Sequence, residues 1–136
     1  KYLSRLPRHL VIELGGLKIL LVHGSPSEPL FEYVHPETHE YLFDIYLKSS
    51  EVDIIAMGHT HIPYTCRAKS GYVVNPGSVG QPRSGKPDAS YLIVTVEEGE
   101  VKLEPRYVKY DIKTTADKIR AAGLPARFAE RLYRGL

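Results

Sequence analysis

The residues best equipped for chemistry in this sequence are His23, His59 and His61, because neutral imidazole is among the commonest ligands of divalent metals. His59 and His61 belong to Met57-Gly58-His59-Thr60-His61-Ile62-Pro63, at the end of the apolar run Asp53-Ile54-Ile55-Ala56-Met57. In an extended chain, side chains at i and i+2 point the same way, so the two imidazoles are expected to converge. Gly58 permits a sharp turn, and Pro63 keeps a helix from absorbing the pair. His23 also closes an apolar run, in Leu20-Leu21-Val22-His23-Gly24-Ser25-Pro26. Three imidazoles alone could hold one Zn²⁺ with a position left open. Two ions would need a bridging carboxylate, which is harder to find. Asp53 lies at the far end of its run, roughly 15–20 Å from His59 at strand rise, and Glu28, Glu32 and Glu37 have no ligand-like spacing. The bland alternative makes His23 a strand cap and the others solvated loop residues. His9, His35 and His39 lack any such context and are expected at the surface.

A second candidate is the turn Asn75-Pro76-Gly77-Ser78-Val79-Gly80-Gln81-Pro82-Arg83, whose composition fixes an exposed backbone path. It could be a rigid turn and nothing more. Read functionally, Gly77 and Gly80 let amides approach an oxyanion, and the Arg83 guanidinium matches phosphate geometry. Cys66 is a small strand residue with no base beside it, and the scattered tyrosines read as packing. Ser25 and Ser78 lack the strand–elbow–helix setting of a nucleophile.

The elements that must position these groups follow from pattern. Two apolar runs, 10–14 and 17–22, flank Gly15-Gly16 and predict a tight hairpin. Residues 25–37 form a long connection, the kind that is usually functional or mobile. Thr38 is the expected N-cap of a helix through Ser49, with Leu42, Ile45 and Tyr46 on its buried face. With strand 53–57 this makes a strand–helix–strand unit with parallel strands. Its right-handed crossover brings His23 and His59 to one carboxyl edge, where open α/β sheets place ligands. Strands over 64–68, 72–74, 90–96 and 101–110 follow, the last pair turning at Glu98-Gly99, with alternation at Val101, Leu103 and Tyr107 predicting one wet face. In the tail, Thr114-x-x-Asp117 signals a cap, Gly123 a stop and Pro125 a restart. Phe128, Ala129 and Leu132 would then pack the last helix down.

At 136 residues, 43% hydrophobic and 25% charged, the chain is one domain able to bury a core. A net charge of +2 argues against nucleic acid or a membrane surface as partner. No apolar run is long enough to span a bilayer. No signal peptide is visible, and a single cysteine suits a reducing, cytoplasmic setting. Lys1 in first place leads us to expect a fragment or a processed chain.

The three strand-end motifs, at His23-Gly24-Ser25-Pro26, Gly58-His59-Thr60-His61 and Asn75 to Arg83, together resemble the calcineurin-like metallophosphoesterases, particularly the small prokaryotic phosphodiesterases. The resemblance covers nearly the whole chain. It implies an α/β fold, the C-terminal part of a four-layer α/β/β/α sandwich, and a centre of two divalent ions (Mn, Ni, Fe or Zn). By analogy His23 and His59 would bind one metal and His61 the other, while Asn75, Gly77 and Arg83 shape the phosphate pocket. The reaction implied is phosphoester hydrolysis by a metal-activated hydroxide. The family's first-half motifs (Asp-x-His, Gly-Asp and Gly-Asn) are missing, and with them the bridging aspartate. The 136 residues therefore read as an incomplete domain holding half of the dinuclear site. Uncovered apolar surface then predicts a homo-oligomer or a complementing N-terminal segment. The competing expectation is a non-catalytic protein-interaction scaffold of the same fold, as in a retromer coat subunit. Loss of the metal histidines would mark that fate, and all three are present.

Overall fold

The computed structural model describes residues 1–136, the side chain of Leu3 excepted. Strands β1 (His9–Leu14) and β2 (Leu17–Val22) form an antiparallel hairpin in which Leu14 pairs with Leu17. Only Gly15 and Gly16 remain for the turn, with φ of 57° and 83°. Two consecutive positive φ values are what a two-residue I′ turn requires, and glycine adopts them without a Cβ clash. Helix α1 (Glu40–Ser50) leads to β3 (Ile54–Ala56), which lies parallel to β2 with Ile19 beside Ile54. A second hairpin, β4 (Tyr64–Ala68) and β5 (Gly71–Asn75), places β5 parallel to β3. The five-stranded sheet therefore runs β1-β2-β3-β5-β4. Strands β6 (Ala89–Glu97) and β7 (Glu100–Val108) make a separate two-stranded sheet. Helices α2 (Ile112–Ala121) and α3 (Ala126–Arg134) close the chain and pack on each other.

The strand pleat decides the layering. Successive side chains point to opposite faces, and Ile54 and Ile55, both fully buried, divide accordingly. Ile55 joins Leu20, Val22, Met57 and Val73 against Phe43, Tyr46 and Leu47 of α1. Ile54 joins Ile19 and Val74 against Leu92, Val94, Val101 and Leu103 of β6 and β7. Each such side chain contributes about 1.5–3 kcal/mol of burial. The result is a mixed α/β domain with α1 on one face of the central sheet and the β6–β7 hairpin on the other.

Three expectations are corrected at the helices. His39, not Thr38, occupies the N-cap of α1, with no side-chain cap bond. Of the expected face, Tyr46 is buried and Leu42 packs against the core, but Ile45 is 41% exposed and Phe43 and Leu47 are buried in its place. Residues 41–47 are almost continuously apolar, so periodicity alone left two stripes open. In α2 the cap is Asp111, whose carboxylate accepts from the Thr114 amide at 3.0 Å. Pro125 is the N-cap of α3, and Ala129 and Leu132 are its buried residues.

The edge strand β1 is exposed along its whole length. Leu10, Val11, Ile12 and Leu14 all remain 39–50% accessible.

Candidate metal centre

Strands β2, β3 and β5 are adjacent and parallel, so the segments leaving them emerge at one edge of the sheet. Those segments begin at His23, Met57 and Pro76 and carry all three motifs. At that edge His23 Nε2 lies 2.9 Å from His59 Nδ1, with ring centroids 4.8 Å apart in an edge-on arrangement. Two ligands about 2.0–2.1 Å from one ion and at right angles to each other stand about that far apart. His59 Nε2 is buried and has no hydrogen-bond partner. Burial first, then the neighbouring His59 and His61, holds the His23 pKa below its ordinary value. That favours the neutral, ligand form of the ring.

The two histidines of the central turn do not converge through an extended chain. His59 and His61 have φ of 62° and 60°, in the left-handed region. The Thr60 amide donates to Gly58 O at 2.7 Å, so His59 is the middle residue of a γ-turn with positive φ. Such a backbone costs of order 1–3 kcal/mol at each residue and persists only where its surroundings enforce it. Here Asn75 enforces it. Its amide nitrogen donates to Gly58 O at 2.7 Å and to Thr60 Oγ1 at 3.0 Å, while its oxygen accepts from the Gly77 amide at 2.9 Å. Asn75 is 1% exposed, so its contribution to the site runs through the histidine turn.

His61 stands apart from the His23–His59 pair. Its Nδ1 is 2.7 Å from the Gln81 carbonyl oxygen. A carbonyl only accepts, so Nδ1 carries the proton and Nε2 keeps its lone pair. That backbone-oriented tautomer is what metal-binding histidines commonly show. Among the described residues no three His, Cys, Asp or Glu side chains surround a single point as one ligand set. The expectation of one ion held by three imidazoles is thus not realised; the geometry is a pair plus one.

Carboxylates stay away. Asp53 accepts from the Lys18 amide at 2.8 Å at the other end of the sheet. Glu32 is tied to the Ser25 hydroxyl and accepts from Tyr46 Oη at 3.1 Å. These bonds brace the 25–37 connection against α1 and occupy Glu32. The donor set fits a divalent ion through its imidazoles, and among the described residues no carboxylate joins them in one ligand group.

The loop 75–83 is built more for packing than its composition indicated. Gly77 (φ +83°) abuts Ser90 Oγ and Pro63, leaving no room for a Cβ, and its amide is spent on Asn75. The Arg83 amide donates to His61 O at 3.2 Å. With its oxygen toward them, the Gln81 amide accepts from Arg83 Nε and Nη2 at 3.0 Å each, and from Arg131 Nη2 and Nη1 at 2.7 and 3.1 Å.

Two further residues had no clear signal in the sequence. The Tyr33 ring covers His59, with centroids 3.9 Å apart. Only the aromatic content of the 25–37 connection pointed toward it. His9 is exposed, as expected, and lines a cleft of about 420 Å³ with His23, Leu21, Ala56, Gly58 and Pro76. Cys66 sits on β4, its thiol pKa raised by burial and then by Glu40, which keeps it unreactive.

Residues 1–99 match the model of the calcineurin-like phosphoesterase superfamily domain. The chain belongs to that superfamily. It is 36% identical over 152 aligned residues to an uncharacterised protein of Methanocaldococcus jannaschii, covering 99% of this chain and 59% of that protein. A Bacillus subtilis protein described as a probable metallophosphoesterase is 31% identical over 90 residues, covering 65% of this chain and 47% of the relative. Among solved structures, a hypothetical protein of Pyrococcus horikoshii superposes with a TM-score of 0.87 at 28% identity, over 99% of this chain and 53% of that one. A metallophosphoesterase of Sphaerobacter thermophilus gives 0.81 at 30%, over 99% and 60%. The chain therefore spans only about half to three-fifths of the length of these relatives. Among the described residues no helix is long and apolar enough to cross a membrane.

Proposed function

We propose that this chain supplies the imidazole side of the metal centre of a metal-dependent phosphoester hydrolase. His23 and His59 share one ion, and His61 addresses a second. The observation that carries the reading is the His23–His59 contact, which brings Nε2 of one and Nδ1 of the other to 2.9 Å. A bound divalent cation would lower the pKa of water and neutralise the phosphoryl oxygens. The chain's own groups do the positioning. Asn75 locks the turn that aims His59, the Gln81 carbonyl fixes the His61 tautomer, and the Tyr33 ring shields His59 from water. The family resemblance supports a phosphodiester as substrate and Mn²⁺, Ni²⁺, Fe or Zn²⁺ as cofactor. A bridging carboxylate has to come from outside these residues.

The test is Mn²⁺-dependent hydrolysis of bis-p-nitrophenyl phosphate by this chain and by His59→Ala, with the metal content of each. Activity or metal uptake that disappears with His59 supports the reading. Uptake indifferent to His59, His23 and His61 would sink it and leave the interaction-scaffold alternative, which the apolar face of β1 favours.

A further inference from the structure

We propose that Arg131, on α3, joins Arg83 in a guanidinium fork beside His61 that holds a phosphate-class oxyanion of the substrate. The proposal rests on the phosphoester-hydrolase reading and extends it to a residue of the C-terminal helix pair, beyond the stretch that matches the family model.

Two guanidinium groups face each other across one neutral amide. With the Gln81 amide turned so that its oxygen faces them, Arg83 and Arg131 both donate to it, and Arg131 Nε donates to Leu136 O at 2.6 Å. Neither forms an ion pair with a carboxylate side chain among the described residues; the ion pairs present join Glu104 to Lys102 and Arg106, and Asp117 to Lys113 and Arg120. Even with the Leu136 oxygen counted as a carboxylate, two guanidinium charges around one dipole leave a net positive field, which an oxyanion complements. Each guanidinium presents five N–H donors in a planar fork, so both groups retain donors beyond those bonds. Arginine pairs of this kind bind phosphate with short, charge-assisted hydrogen bonds.

The arrangement is held in place from both sides. Gln81 is anchored through its backbone carbonyl to His61 Nδ1 at 2.7 Å, and the Arg83 amide is bonded to His61 O. Arg131 is held by the docking of α3. The Gly85 amide donates to Gly135 O at 3.0 Å, and Gly135 lies so close to the Lys86 backbone that any Cβ there would collide with it. The fork is thereby joined to the turn that carries His59 and His61. Its oxyanion is either the phosphoryl group under attack or a second anionic group of the same substrate.

The experiment is calorimetric titration of inorganic phosphate and pyrophosphate into the metal-free chain, and again after Mn²⁺ loading, for wild type, R131Q, R83Q and Q81A. In the metal-free protein R131Q and R83Q are each expected to weaken phosphate binding at least about tenfold, the loss of a charge-assisted contact. Q81A frees donors and is expected to bind as tightly as wild type or more tightly. After metal loading, a pyrophosphate preference that R131Q erases assigns the fork to a second anionic group. Equal weakening of both ligands assigns it to the phosphoryl group. The fork is refuted if R131Q and R83Q, folded by circular dichroism, bind phosphate as wild type does. It is refuted equally if K48Q, a charge loss on α1, weakens binding as much, or if Q81A loses binding as R131Q does, since the arginines would then only dock α3. Metal uptake at His59 is read separately, so failure of the hydrolase reading leaves a distinct signature.

Discussion

Asn75 is the side chain on which the histidine turn depends. Its side chain is buried, and two of its three hydrogen bonds hold a backbone that His59 would not adopt unaided. Asn75→Ala removes all three bonds and strands the Gly77 amide, at about 1–3 kcal/mol, while Gly58 O keeps the Thr60 amide and Thr60 Oγ1 keeps the Ile62 amide. We expect a loss of about 2–4 kcal/mol in urea denaturation, with the His23–His59 ring proximity gone from proton NMR. A second residue sets the alkaline limit. The Tyr64 hydroxyl donates to Val34 O at 3.1 Å, and burial, then Cys66 and Tyr46, raise its pKa far above the ordinary phenol. Between the unfolded value of about 10 and that raised value, the native state binds more protons than the unfolded one. The contribution is therefore complete below about pH 10 and is lost as pH rises above it. Tyr64→Phe should cost about 1 kcal/mol at pH 7 and flatten the decline above pH 10, measured by denaturation across pH 8–12.

At the level of elements, Gly77 and Gly99 make a controlled pair. Their φ angles are +83° and +84°, yet Gly99 has open space around it while Gly77 faces Ser90 Oγ and Pro63. Gly99→Ala should cost only the left-handed strain, about 1–2 kcal/mol. Gly77→Ala adds a collision between the loop and β6, worth about 1–3 kcal/mol more. Similar losses in thermal denaturation would show that the loop gives way. The strands were legible because their apolar runs are short, sharply bounded and separated by glycine-containing turns. Thus 64–68 is one strand from end to end, and Gly15-Gly16 is the whole of a turn. The helix faces were less legible. The buried stripe of α1 depends on which side meets the sheet, and residues 41–47 offer apolar groups to both. The histidine turn was misjudged as extended for a different reason. Its left-handed residues are imposed by Asn75, distant in sequence, and nothing local in His-Thr-His reveals that. Arg131 escaped notice likewise, since only the docking of α3 brings it to Gln81.

For the molecule as a whole, the exposed β1 edge is the open question that experiment can close. Its peptide groups face solvent on one side, and neither proline nor lysine interrupts residues 9–14. Such an edge is a template for another strand. Two copies related by a two-fold axis through Val11 would set His9 against Glu13, so the edge is complementary to itself in hydrogen bonding, side chains included. We expect concentration-dependent dimers in sedimentation, abolished by Ile12→Lys at little cost in stability because Ile12 is already 39% exposed. A monomer at all concentrations would exclude this pairing.

The order of strands also dictates a sequence in time. The hairpins β1–β2, β4–β5 and β6–β7 join chain neighbours and can close on the microsecond scale of isolated hairpins. The parallel pairings of Ile19 with Ile54 and Ile54 with Tyr72 unite segments distant along the chain, and distant contacts are slow to form. His23 and His59 meet only after β2 has paired with β3. Pulse-labelled hydrogen exchange should protect the Ile12 and Ile19 amides well before those of Met57 and Gly58. The histidine-bearing edge is therefore the last part of the sheet to form during refolding, and a divalent ion that needs both His23 and His59 would find them together only after β2 and β3 have paired.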